Sequence, residues 1–120
     1  AEQGVDGDLR DPWLAKLAAN YWWMAGEGYR AQNDIPAALT AYRRAAQIAP
    51  RSQSTLYNVS LMLFRNNEID EAYDVIGQSI SVDPMRLGPY RLAAQILRRI
   101  GDEESLGELH KRARFWGVFP

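Results

Sequence analysis

The chain has 120 residues, 47% hydrophobic and 24% charged, with a net charge of −1 and no cysteine. That excludes wholesale disorder, a disulfide scaffold and thiol or thiolate chemistry, and argues against a dedicated nucleic-acid binder, which carries a large basic excess. A single histidine, His110, excludes any site that needs two imidazoles.

Residues 1–11, with Gly4, Gly7, Asp6 and Asp8, read as a flexible tail or linker remnant. A chain that begins at Ala1 rather than Met is expected to be a processed form or a segment of something longer. Asp11-Pro12 opens the first helix: the carboxylate caps free N–H groups, and proline at the first helical position loses no needed donor. Residues 13–32 then run as one long helix or two collinear ones. Their apolar stretch is broken by Lys16 and Asn20 and falls short of the ~18–20 apolar residues of a membrane span.

Asn33-Asp34-Ile35-Pro36 turns the chain into a second helix, whose apolar positions are Ile35, Ala38, Leu39, Tyr42, Ala45, Ala46 and Ile48, until Pro50 stops it. Leu56, Val59, Leu63 and Phe64 mark a third, ended by Asn66-Asn67. Ile69, Ala72, Tyr73, Ile76, Ile80 and Val82 mark a fourth, stopped by Pro84. Tyr90, Ala93, Ala94, Leu97 and Ile100 mark a fifth, ended by Gly101; Leu106, Leu109, Ala113 and Trp116 mark a sixth, ended by Gly117. No segment alternates with period two, so the predicted class is all-α.

A repeat of 34 residues underlies this pattern. It relates Asn33 to Asn67, Ile35 to Ile69, Ala38 to Ala72, Ile48 to Val82 and Pro50 to Pro84, and one further step reaches Gly101, Leu106 and Trp116. Paired helices at this period resemble the tetratricopeptide repeat. In residues 19–52 the resemblance rests on Trp22, Ala25, Gly26, Tyr29, Asn33, Ala38, Tyr42, Ala45 and Pro50. In residues 53–86 it rests on Leu56, Val59, Ser60, Leu63, Asn67, Ala72, Ile76, Ser79 and Pro84. Residues 87–120 match less well, through Tyr90, Ala94, Leu97, Gly101, Leu106 and Ala113, and have Val118 where the closing proline belongs. The expected fold is a right-handed α-solenoid of three such pairs, preceded by a helical extension over residues 12–18. Small residues (Gly26, Ser60 and Ala94 on first helices; Ala38, Ala45, Ala72, Ser79 and Ala113 on second helices) are expected where the two helices of a pair approach closely. Trp22, Leu56, Tyr90, Tyr42 and Ile76 are expected to fill the space between repeats.

The resemblance implies a non-catalytic protein-interaction scaffold, whose first helices line a concave groove that holds a peptide or partner domain. Helix geometry then puts Trp23, Glu27 and Arg30 in the groove from the first pair, with Asn20 beside them. The second pair supplies Tyr57, Asn58, Leu61 and Arg65, with Phe64; the third supplies Arg91, Gln95 and Arg98, with Leu92 and Arg99. Trp23, Tyr57 and Arg91 share one row, and Arg30, Phe64 and Arg98 another. Aromatics and arginines suit a binding hot spot, and arginine pairs bidentately with carboxylates. Competing readings exist: Trp23 packs on Trp13 or Leu17, Tyr57 and Phe64 pack on the first pair, Asn58 holds the groove through local hydrogen bonds, and the arginines form a solvated face.

Chaperone-adaptor members of that family grip the C-terminal carboxylate of heat-shock proteins with two lysines, two asparagines and a further cation. On those rows stand Trp23, Glu27, Asn58, Gly88 and Leu92, of which Asn58 alone agrees, so this ligand is not expected. The expected partner is a protein or peptide with acidic and apolar groups, not nucleic acid and not a membrane interior. Residues 53–85 carry one basic against five acidic side chains, and residues 86–120 carry seven basic against four acidic. That polarity, with the aromatic end Phe115-Trp116-Gly117-Val118-Phe119-Pro120, supports an alternative: a structural subunit that self-associates. The same aromatics are otherwise expected to fold back as a cap.

No cofactor or metal is implied. Gly26-Glu27-Gly28 lies within a helix and lacks the strand and third glycine of a phosphate loop. Asp102, Glu103 and Glu104 open a helix and are expected to cap it; His110 falls on a core row.

Overall fold

Asp11 accepts a hydrogen bond from the Trp13 N–H at 2.9 Å, and Pro12 follows as the first residue of helix α1, Pro12–Ala31. The structure is a computed structural model and describes residues 10–118; most of the predicted tail, and Phe119 and Pro120, lie outside the described residues. Five more helices follow: α2 (Ile35–Ile48), α3 (Gln53–Arg65), α4 (Ile69–Val82), α5 (Leu87–Ile100) and α6 (Glu103–Phe115). Among the described residues there is no strand. Asp34, Ser52 and Asp102 cap α2, α3 and α6 through their side chains. Asp70 and Glu71 instead place negative charge on the first turn of α4, where the helix dipole favours it. No helix is long and apolar enough to cross a membrane among the described residues.

The 34-residue period is visible in the backbone. Asn33, Asn67 and Gly101 have φ of 60°, 64° and 76°, the left-handed region where asparagine and glycine are tolerated best. Each ends the first helix of a pair with the same bond: the N–H of residues 34, 68 and 102 donates to the carbonyl of Tyr29, Leu63 and Leu97 at 2.9, 2.9 and 3.1 Å. The chain therefore reverses identically three times. α1 packs on α2, α3 on α4 and α5 on α6; α3 packs against α2, α5 against α4, and the first helices α3 and α5 also meet. The result is an elongated solenoid, 46 × 28 × 19 Å.

Small residues set the closeness of each pair. Gly26 lies so near Tyr42 that a Cβ there would fall 2.6 Å from the ring. Ser60 is buried and donates to the Ala72 carbonyl at 2.7 Å, while Ala94, Ala38, Ala45, Ala72, Ser79 and Ala113 are buried as expected. Tyr42, Leu56, Ile76 and Tyr90 fill the core; Trp22 is only partly buried. Gln53 ties α3 to the end of α4, its Nε2 donating to the carbonyls of Ser79 and Asp83 at 2.7 and 3.0 Å.

Three expectations need correction. Leu92, placed in the groove by its row, is only 2% exposed, and Ile96 is buried with it. α5 packs against α3, α4 and α6 at once, so its buried face is wider than a single stripe. Tyr73, Ile100 and Trp116, read as core positions, are exposed. The described C-terminal aromatics do not fold back: Phe115 is 80% exposed and stacks edge-on against Trp116 at 5.3 Å. Closure falls to Val118, which Gly117 (φ 75°) turns inward so that its N–H donates to the Ala113 carbonyl at 2.7 Å. His110 is partly buried.

Candidate interaction groove

Side chains of the first helices α1, α3 and α5, with the residue that precedes α5, converge on a cavity of about 560 Å³. Trp23 forms one wall from α1. Tyr57 and Asn58 rise from α3, with Gln53 and Ser54 one turn earlier, and Arg86, Leu87, Gly88 and Pro89 close it from the start of α5. Trp23 and Tyr57 are partly buried and pack against the main core, so the cavity walls are held by the same contacts that hold the fold. Trp13 and Leu17, the alternative packing partners of Trp23, are 66% and 47% exposed.

Two buried polar atoms of cavity residues have no partner among the described residues: Trp23 Nε1, a donor, and Gln53 Oε1, an acceptor. Buried polar groups are otherwise almost always satisfied, because an unpaired one costs about 1–3 kcal/mol. Asn58 is partly buried, lines the cavity and makes no side-chain hydrogen bond among the described residues.

The remaining predicted residues fall into two groups. Glu27 and Arg30 close on each other, the guanidinium donating twice to the carboxylate at 2.9 and 3.1 Å, and the Tyr42 hydroxyl donates to the same carboxylate. Burial works to raise the Glu27 pKa, but the bonds from Arg30 and Tyr42 outweigh it and hold the carboxyl below its ordinary value. Burial first, then the bond to Glu27, pushes the Tyr42 phenol up to about 12. This trio joins α1 to α2 and commits both charges, Glu27 and Arg30, to each other. Leu61 and Phe64 are partly buried against the core. Arg99 donates to Asn67 at 2.9 Å and lies over the Phe64 ring, 5.9 Å from its centroid. By contrast Arg65, Arg91, Gln95 and Arg98 are exposed, and none of their side chains has a partner among the described residues.

Sequence reasoning missed Gln53, Arg86, Leu87 and Pro89. The signal was present: Gln53 and Leu87 are one repeat apart, as are Ser54 and Gly88, one turn before the row of Tyr57 and Arg91. Among the described residues no cluster of histidine and carboxylates could hold a metal ion. Asp102 caps α6 as expected, at 3.0 Å from the Ser105 nitrogen.

The helix pairs superpose on the TPR2B domain of yeast Sti1, solved in complex with pHsp70, with a TM-score of 0.74 over 82% of this chain and 78% of that one, at 23% identity. The chain has the tetratricopeptide-repeat fold. Similar to it are also MamA (TM-score 0.76, 18% identity, 95% of this chain and 71% of that one) and the first tetratricopeptide domain of Spaghetti (RPAP3), bound to the HSP90 peptide SRMEEVD (TM-score 0.72, 14% identity, 82% of this chain and 80% of that one). The chain spans 54% of a second MamA structure. No protein-family model and no curated protein matches the sequence. At these identities the likeness is one of tetratricopeptide fold.

Proposed function

We propose that this protein is a non-catalytic scaffold that binds an extended peptide, or such a segment of a partner protein, along its concave groove. The observation that carries the reading is the cavity between Trp23, Tyr57 and the start of α5, walled by two partly buried aromatic rings. A large apolar side chain of the ligand fills it between the two rings. Asn58, at the rim, hydrogen-bonds the ligand backbone. Acidic residues further along the ligand meet Arg91 and Arg98, whose guanidiniums are exposed and uncommitted. Peptide complexes of the similar Sti1 and RPAP3 domains support this mode.

The terminal carboxylate of a heat-shock peptide is not the ligand. Glu27 is an ionised acid held by Arg30 and Tyr42, Gly88 has no side chain to offer, and Leu92 is buried and uncharged. The SRMEEVD peptide is accordingly expected not to bind, as isothermal titration would read.

The test is selection of peptides from a random displayed library, followed by titration of the winners. Enriched peptides are expected to pair a large apolar residue with Asp or Glu, and to lose at least ~10-fold in affinity with Trp23→Ala and again with Arg91→Glu. Winners that bind both variants as tightly as the parent refute the groove reading.

A further inference from the structure

α1 carries a second apolar face that the solenoid does not use. Ala18 and Gly26 point into the pair, Gly26 against Tyr42. On the side turned away from α2, Leu14, Leu17, Tyr21 and Met24 recur at three, four and three residues, and are 39%, 47%, 52% and 68% exposed; Trp13 beside them is 66% exposed. This is the a/d spacing of a helix that packs along a second helix. No charged side chain falls in the stripe.

The next position of the series is Gly28, exposed, with nothing within 4 Å of where its Cβ would be. Glycine weakens a helix interior, and here no contact among the described residues requires it. Its smallness suits an approach from outside.

We propose that this face is a homodimer interface, in which α1 packs antiparallel on α1 of a second copy about a two-fold axis through Tyr21. The stripe is complementary to itself in that arrangement. Leu14 and Gly28 lie seven residues either side of Tyr21, so the large side chain of one copy meets the glycine of the other, while Leu17 meets Met24 and Tyr21 meets Tyr21. Large side chains offer ~150–250 Å² each, so these exposures, Trp13 included, leave roughly 500–600 Å² of apolar surface per copy, and complete burial of it on both copies removes at most about 1,100 Å², at the lower bound of ~1,000 Å² for a specific interface. This inference uses the face beside the groove and does not rest on the groove reading.

The chain has no cysteine, which makes the test direct. Sedimentation velocity of the 13.6 kDa chain is expected to show a mass that doubles with concentration. Leu17→Glu with Met24→Glu, both exposed positions, is expected to weaken dimerisation by ~100-fold or more with an unchanged circular dichroism spectrum. Oxidised Tyr21→Cys is expected to run as a covalent dimer, and Thr40→Cys, exposed on α2, as a monomer. The proposal is overturned by a monomer at every concentration up to ~500 µM, which leaves room for the weak association expected of an interface this small. It is equally overturned by a dimer indifferent to the two glutamates, or by one lost with Phe115→Ser instead, which would move the contact to the opposite end.

Discussion

Two glycines two residues apart in α1 should answer the same substitution with opposite signs. At Gly26 an added methyl would sit 2.6 and 2.7 Å from two atoms of the Tyr42 ring, which is fully buried and cannot swing away. Overpacking of this kind costs about 1–3 kcal/mol, and replacing a helical glycine by alanine returns about 0.5–1 kcal/mol. Gly26→Ala is therefore expected to destabilise by about 1–2 kcal/mol. At Gly28 the methyl meets nothing, so Gly28→Ala keeps the whole helix gain of about 0.5–1 kcal/mol. For a chain of this size 1 kcal/mol is roughly 3–6 °C in Tm, so the two variants should straddle the parent by several degrees. Thermal and urea unfolding followed by circular dichroism read this, in the Leu17→Glu, Met24→Glu background so that association does not contribute. A cycle with Tyr42→Leu adds a control, because the Gly26→Ala penalty should shrink by about 1 kcal/mol or more once the ring is gone. If Gly26→Ala stabilises, or if its penalty survives Tyr42→Leu unchanged, the close approach of α1 and α2 is not what holds Gly26 in place.

Tyr42 also sets a pH response. Its pKa is about 12 folded against about 10 unfolded, so its contribution is whole below pH 10 and is lost as pH climbs towards 12, on the order of 2–3 kcal/mol; Tyr42→Phe should flatten that alkaline limb in urea titrations. Glu27 behaves oppositely: its lowered folded pKa means stability present above the ordinary carboxyl range and lost as pH falls through the folded value. Glu27→Gln should remove that part of the acid limb. Gly101→Ala puts a side chain at φ 76° and should cost about 1 kcal/mol in denaturant unfolding, whereas Asn67→Gly, at φ 64°, should be neutral or slightly stabilising. Ser60→Ala deletes the buried bond to the Ala72 carbonyl and should cost about 1 kcal/mol by the same assay.

What the sequence made legible is what short-range chemistry decides. Asn33, Asn67 and Gly101 announce the reversals because few residues tolerate their φ. Asp11, Asp34 and Asp102 announce helix starts because a short acceptor is needed there. Ala38 and Ala72 announce close packing because the period repeats them. The groove was legible as rows, which located Trp23, Tyr57, Asn58 and the free arginines of α5. It failed where several elements meet. Leu92 looks outward by its own helix and is covered because α5 touches three others. Glu27 looks like a free acid until Tyr42, fifteen residues on, closes over it. Gln53 looks like an ordinary polar first-turn residue until α4 and the start of α5 build a cavity around it.

The same logic separates fold from assembly on α1. A first helix in a solenoid owes one face to its partner helix and one to the groove. Ala18, Gly26 and the Glu27–Arg30 pair serve the first, and Trp23 lines the cavity on the second. Leu14, Leu17, Tyr21, Met24 and Gly28 serve neither, yet they keep a regular spacing over four turns. Scattered exposed apolar residues are ordinary on any protein, but a contiguous stripe with an unforced glycine in register is not. Because stripe and groove share one rigid helix and differ in facing, a dimer through α1 would fix two grooves relative to each other without covering either. The two copies would then offer a divalent ligand two linked sites, and binding to such a ligand would tighten beyond the single-site affinity only in the dimer. Comparing a tandem-peptide ligand with its single-copy form, on the parent and on the Leu17→Glu, Met24→Glu variant, separates the two contributions: the variant should bind both forms alike.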